Sequence, residues 1–478
     1  MASTKASTGK GAKKSPAPAV IPGPADETER QLLEVAQRLV ELARKAGAQE
    51  AEAFAERTRN ASVTVRDGEV EELSQASSKG VGLRVIGGGR LGFASGTDFS
   101  QEGLTALATQ AVALAKEAAR DPHNALPRAG QLGFALAGTG DFDPAIESLS
   151  PEWKLQAARA AEAAARGVDP RVRKFDSTGA GDYLAHSAIA SSHGAAASSR
   201  ASYLQVYCSP VAEENGQLQT ASWSDTRRLL SALDAPEEIG RIAARRAARM
   251  LGANKPKTCR VPVIFDPQMA GSFFAGLAAA VTGSLVQKQS SFLAKSLGER
   301  IAPETITLFD DPLLLHGLST RPFDGEGVIS RKNPILERGV LGTFLYDTYY
   351  ARKSGRRQGS TGSASRGWGS LPSIGISNWV VQAGATPPEE LLRSVKRGLY
   401  VTAMLGKGGD PVTGDYSRGA NGLWIEEGEL AWPVQEATVA GSLREMLLSI
   451  DGVGNDLQIR GSVAAPTIRF AELTVSGG

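Results

Sequence analysis

Cysteine and histidine are scarce in this chain of 478 residues, and the scarcity narrows its chemistry. The two cysteines, Cys208 and Cys259, are too few for a disulfide framework and form no C-x-x-C pair, which points to a reducing compartment. No G-x-S-x-G elbow is present, although a Ser/His/Asp set drawn from distant residues stays open. No apolar run reaches the roughly 18–20 residues that span a bilayer. The N-terminus carries lysines without an apolar stretch behind them, so a secretory signal is not expected and the cytoplasm is. An excess of either charge is also missing: 53 Lys and Arg stand against 51 Asp and Glu, for a net charge of +2. Lys5, Lys10, Lys13 and Lys14 lie in a stretch without acids, and the body that follows is nearly neutral. Such a body lacks the electrostatic footprint of a nucleic-acid binder.

What is present is ordinary for a soluble globular chain, with 41% hydrophobic and 22% charged residues. The length exceeds what one core supports, so several domains are expected. Residues 1–25, rich in Lys, Ser, Ala, Gly and Pro, read as a disordered basic tail. An N-terminal α+β domain follows over 26–124. Leu32, Ala36, Leu39, Val40 and Ala43 recur at helical spacing before Gly47, and alternating runs flank Asp67-Gly68, a hairpin signal. Gly87-Gly88-Gly89-Arg90 joins two further strands and reads as a turn; it lacks the helix and the Lys-Ser/Thr of a phosphate loop. A second helix is expected from about Gln101 to Arg120.

A middle α+β domain is expected over 125–255. Ser150-Pro151-Glu152 starts an Ala-rich helix. Four short alternating segments then read as an antiparallel meander, and a helix runs from Asp234 to Gly252. Its Arg241, Arg245, Arg246 and Arg249 read as a solvated face. His186 and His193 sit seven apart near Asp176 and Asp182, a spacing that fits no standard metal pattern. His316 follows Asp310-Asp311-Pro312, which reads as a turn and helix start.

A C-terminal, β-rich domain is expected over 256–478. It opens on V-P-V-I-F-D-P-Q-M-A-G-S-F-F-A-G-L-A-A-A-V-T-G, from Val261 to Gly283. This reads as a strand feeding a buried helix of more than three turns, with Asp266 as cap and Pro267 in the first turn. Small residues on one flank, Gly276 among them, would let a backbone or an extended ligand approach. Between Gly355 and Gly384 lies a long Gly/Ser segment holding Ser360, Thr361, Gly362, Trp368 and Trp379. It reads either as a binding loop or as a loop covering an edge strand.

Several ordered phrases carry a family resemblance: S-S-F-L before L-G, F-D-G-E-G-V, an aromatic strand ending in A-R-K, V-G-N-D-L, and in the first domain G-V-G-L-R-V-I and G-F-A-S-G. The chain resembles the TldD/PmbA family, and within it the PmbA (TldE) type of subunit. The resemblance implies three consecutive α+β domains. In the TldD type, the helix after the strand carries a zinc motif of His-Glu, three residues, then His; the matching positions here are Ala275, Gly276 and Ala280. The family's C-terminal cysteine also has no counterpart. The resemblance therefore implies a subunit with no catalytic or metal-binding residue, and no bound cofactor, of its own. It would pair as a heterodimer with a zinc-bearing TldD-like subunit in a metallopeptidase that cuts unfolded or extended peptides. Gly276, Ser360, Thr361, Gly362, Trp368 and Trp379 are then candidates for the substrate cleft. Two alternatives remain: a regulator of DNA gyrase or another partner without peptidase activity, or an autonomous hydrolase with a site near His186/His193 or His316.

Overall fold

A computed structural model describes residues 26–135 and 140–477. The basic N-terminal stretch read as a tail lies outside the described residues.

Helix α1 (Glu27–Lys45) forms where the sequence places it. Asp26 caps it by accepting from Glu29 N–H, and Leu32, Ala36, Leu39, Val40 and Ala43 make one buried stripe. Strand β1 (Glu50–Arg66) turns at Asp67 and Gly68, with φ of 54° and 85°, into β2 (Glu69–Gly87). Positive φ at both central residues gives the twist that a tight hairpin needs. A second turn through Gly88 and Gly89 leads to β3 (Arg90–Gly96), and Ser100 caps α2 (Gln101–Glu117).

The middle region does not form a separate meander. A short helix α3 (Pro144–Glu147) and the Ala-rich α4 (Pro151–Arg166) precede β4 (Val172–Ser191) and β5 (Ala196–Glu214). After β5 come β6 (Gln217–Thr220) and β7 (Trp223–Arg227). Of the four segments that read as short strands, the first two are fused into β4, the third lies within the long β5, and the fourth forms β6 and the start of β7. Glycine inside β4 marks close approach instead of a break: a Cβ at Gly179 would lie 2.8 Å from Val63 O on β1. Because β4 pairs along β1, one antiparallel sheet, ordered β3-β2-β1-β4-β5-β6 with β7 on β5, runs through both N-terminal regions. Helix α5 (Pro236–Ala248) packs on α4 and β5. Asp234 does not cap it; its carboxylate meets Arg460 at 2.7 Å. Of the arginines, Arg241 and Arg245 pair with Glu238, whereas Arg246 turns inward to Asp266.

The C-terminal region begins with β8 (Cys259–Phe265), α6 (Pro267–Ala275) and α7 (Gly283–Gln287). Strands β9 (Leu308–Asp310), β10 (Asn333–Glu337) and β11 (Val340–Leu341) lead to α8 (Thr348–Lys353). The aromatic A-R-K phrase, read as a strand end, is thus helical, with Asp347 accepting from Tyr350 N–H as its cap. Nor does Asp-Asp-Pro start a helix: Asp310 ends β9, and Asp311 caps a turn through Leu313 N–H. A two-residue pair, β12 (Ala364–Ser365) and β13 (Ser373–Ile374), precedes β14 (Trp379–Val381) and α9 (Pro388–Arg393). Strands β15 (Arg397–Leu405), β16 (Asp415–Glu426) and β17 (Glu429–Ser442), helix α10 (Leu443–Leu448), and β18 (Ile450–Val453), β19 (Val463–Ala464) and β20 (Ile468–Ser476) complete the chain. The large sheet runs β17-β16-β15-β8-β20-β18, and β17 also pairs with β20, which makes it barrel-like. Phe265, Phe273 and Phe470 contact one another edge to face in its core. The fold is α+β throughout, with the first two of its three regions sharing one sheet.

Candidate functional site

The segment between β8 and α7 is where the family resemblance would put catalysis. Asp266 anchors it: Oδ1 accepts from Met269 N–H at 2.9 Å and Oδ2 meets Arg246 at 3.2 Å, while burial raises its pKa. The helix is shorter than its composition suggests and stops at Ala275. Past that point the N–H groups of Gly276, Leu277 and Ala278 reach back three residues, to Phe273, Phe274 and Ala275, each at 3.1 Å. The chain tightens into turns from Gly276, the residue of lowest helix propensity but proline, which serves as the cap.

Ala275 and Gly276 therefore sit at a half-exposed helix end, while Ala280 is fully buried, its carbonyl accepting from Ser291 Oγ at 2.6 Å. A Cβ on Gly276 would lie 3.1 Å from Phe273 O and 3.6 Å from Gly409 N. At Gly283 the approach is tighter still, 2.4 Å to the Tyr346 ring, so the small-residue flank packs on the segment 345–346. These residues do not fit zinc: the three positions offer no side-chain ligand and share no helical face. No group of three or more His, Cys, Asp or Glu among the described residues is placed to hold a metal. The histidines are scattered: His186 bonds Asp26, His193 the Pro127 carbonyl and His316 the Gly140 carbonyl.

The Gly/Ser segment is packed into the protein along much of its length. Ser360 and Thr361 are buried, and both hydroxyls donate to Tyr346 O at 3.0 Å; Thr361 Oγ1 also accepts from Tyr346 N–H. Gly362 has φ of 75° and lies against Ile329 O. Trp379 is fully buried, donating from Nε1 to Phe274 O at 3.0 Å. These four residues present no surface to a peptide, because hydroxyls and an indole N–H satisfy carbonyls inside the core. Trp368 and Gly276 keep partial exposure. Trp368 lies across β2, where a Cβ on Gly80 would come within 2.3 Å of its ring. Replacing Trp379 with Phe removes the indole donor and leaves a small void. The expected cost is about 1–3 kcal/mol, read as a lower urea midpoint; an unchanged midpoint would remove Trp379 as the pin on this helix.

A feature that composition did not suggest is a buried ionic cluster where β1, β2, the F-D-G-E-G turn and the 364–376 strap meet. Arg84 bridges Glu52 at 2.9 Å and Glu326 at 3.0 Å, and Arg366 meets the other oxygen of Glu52 at 2.6 Å. Glu326 Oε2 accepts from Thr348 N–H, and Asp324 accepts from the N–H groups of Glu326, Val328 and Ala364. One signal was legible: Arg84 interrupts the otherwise apolar run V-G-L-R-V-I.

Burial, reinforced by the Glu326 charge, pushes the Asp324 and Asp347 carboxyls up to about 7. Because the folded-state values are raised, the stability these groups contribute is complete below about pH 4. It is lost as pH rises through about 7. Asp347→Asn keeps the acceptor for Tyr350 N–H but does not titrate. Its melting temperature should therefore rise relative to wild type between about pH 5 and about pH 8; parallel curves would contradict this assignment.

A helix-capped N-terminal sheet continuous over two regions, followed by a barrel-like third, is a scaffold shared with metallopeptidases. The sequence matches the PmbA/TldA metallopeptidase domain 1 over residues 51–115, the central domain over 144–251 and the C-terminal domain over 258–477. The chain belongs to the PmbA/TldD family. It is 34% identical to the metalloprotease PmbA of Escherichia coli O157:H7, over 94% of this chain and 97% of that protein. The structure is similar to that of TldE from Thermococcus kodakarensis, with a TM-score of 0.83 and 26% identity over 92% of this chain and 99% of that one. It is also similar to a Bacteroides thetaiotaomicron protein described as a candidate modulator of DNA gyrase, with a TM-score of 0.84 and 27% identity over 93% and 98%.

Proposed function

We propose that this chain is a TldE-type, non-metal-binding subunit of a two-chain zinc peptidase acting on unfolded or extended peptides. The observation that carries the reading is local. Ala275, Gly276 and Ala280, which the resemblance sets at the motif positions, lie at and beyond the end of a helix that stops at Ala275, and none carries a metal-binding side chain. The likeness to TldE supports the same reading. A TldD-like partner supplies zinc and the general base, and this chain supplies an interface and one wall of the chamber. The complex works in the cytoplasm; no helix among the described residues is long and apolar enough to cross a membrane.

The test is hydrolysis of an unfolded polypeptide by this chain alone, by a TldD-like chain alone and by the mixture, each with and without a zinc chelator. Activity in the mixture alone, abolished by the chelator, is the expected result. Chelator-resistant hydrolysis by this chain alone would overturn the assignment. The gyrase-related description of the Bacteroides structure favours a second reading, a regulator without peptidase function. That reading requires an effect on DNA supercoiling by gyrase when the chain is added without any partner.

A further inference from the structure

A cavity of about 170 Å3 opens where β2, the linker residues Asn124 and Ala125, the F-D-G-E-G turn, α8 and the strap converge. That is more room than an engineered cavity of roughly 150 Å3 that admits benzene. Its lining has two chemically distinct parts. Ile86, Leu91, Leu371 and Pro372 make an apolar wall. Asp347, Glu326 and the half-buried rings of Tyr349 and Tyr350 make a polar end. The two rings meet edge to face, with centroids 4.9 Å apart.

The polar end is short of positive charge. Arg84 lines it, yet its two Nη groups are committed to Glu52 and Glu326, and Arg366, which is not among the lining residues, meets Glu52 through Nη1. Both Glu326 oxygens are occupied, by Arg84 and by Thr348 N–H. Asp347 is different. It is only 4% exposed, Oδ1 accepts from Tyr350 N–H, its own backbone N–H also bonds the carboxylate, and no cation among the described residues is paired with it. An ionised carboxylate on so buried a residue is costly unless a cation pairs with it. Of the two cations of α8, Arg352 donates to the Pro122 carbonyl, and Lys353 lies over the Tyr349 ring, 5.5 Å from its centroid, and bonds the Tyr349 hydroxyl, which itself donates to Asp121.

We propose that this cavity binds a primary alkylammonium group, of the size of a lysine side chain, with its stem along the apolar wall and its head on Asp347 Oδ2 between the tyrosines. A flexible methylene chain suits such a wall, and an ammonium gains from both a carboxylate and aromatic faces. The site is independent of whether this chain acts as a peptidase subunit.

Its pH response has a definite sign. Burial and the Glu326 charge hold Asp347 largely protonated in acid, with Arg84 opposing them, so an ammonium binds more tightly as pH rises through about 7. The same ligand draws the Asp347 proton off, by linkage.

The experiment titrates the intact chain with n-butylammonium and, separately, with its neutral isostere n-butanol, at pH values on both sides of neutrality, by ligand-observed NMR. Butylammonium should bind saturably, at least about tenfold more tightly than butanol, and more tightly at the higher pH. Asp347→Asn should abolish that preference. Leu371→Trp, at a position 39% exposed on the strap, should block the mouth without touching the carboxylates and so serves if the Asn variant fails to fold. A second arm compares an unstructured lysine-bearing peptide with its norleucine counterpart. Preference for lysine makes a peptide side chain the ligand, and equal binding of the two peptides leaves a free amine in that place. Equal affinity for butylammonium and butanol, absence of saturable binding, or unaltered binding in both variants overturns the proposal.

Discussion

Replacing Arg84 with alanine is expected to destabilise the protein by about 3–5 kcal/mol, several times the cost of breaking an exposed ion pair. Arg84 is 5% exposed and holds two carboxylates of different regions, Glu52 on β1 and Glu326 in the F-D-G-E-G turn. The cost does not measure the worth of an ion pair. It measures what is left behind, because buried acids without a cation cannot keep their charge cheaply. Glu52 retains Arg366, and Glu326 retains only Thr348 N–H among the described residues, so the penalty falls on Glu326. The contact between the N-terminal sheet and the C-terminal region loosens at that point. Unfolding of a chain with several domains need not be two-state, so the reading is the midpoint of the first transition, together with limited proteolysis across the strap. A shift worth less than about 1 kcal/mol, as for an exposed pair, would show that the cluster is not a structural joint.

Much of the local structure was legible in the sequence because its causes are local. The Asp67-Gly68 turn, the Ser150 cap and the stripe of α1 depend on neighbours within a turn or two, and each forms where it is expected. Three features escaped because their causes are distant. Arg84 and Glu326 are separated by 242 positions, and Arg366 and Glu52 by 314. The single sheet depends on β1 choosing β4 as its second neighbour, which no property of either strand announces. The Gly/Ser segment was open to reading as an exposed loop, since serine and threonine usually face water. Here Ser360 and Thr361 instead satisfy a buried carbonyl of Tyr346. That is why four of the six cleft candidates lie inside, and why no residue pattern points to the cavity beside Asp347.

Restoring the motif letters with Ala275→His, Gly276→Glu and Ala280→His is expected to yield no zinc site and a weakened fold. The surroundings of each position decide this. Ala280 has 0% exposure, and its carbonyl is already used by Ser291, so an imidazole there overfills the core and buries ring nitrogens without partners. That substitution alone should cost about 1–3 kcal/mol from overpacking, with the unpartnered ring nitrogens adding to it. Ala275 is the last helical residue and Gly276 the cap, so new side chains at 275 and 280 project from different local geometry and do not converge on one ion. A cysteine ligand is also out of reach. The C-terminal region holds only Cys259, at the far end of β8, roughly 20 Å of extended strand from the start of α6. Zinc measured by elemental analysis after dialysis should stay far below one ion per chain, and the melting temperature should fall. One tightly held zinc in a well-folded triple variant would mean that this scaffold needs only three side chains to become a metal site. Failure to bind would instead mean that the helix end, its turns and the packing around Ala280 do not bring side chains at 275, 276 and 280 to one ion.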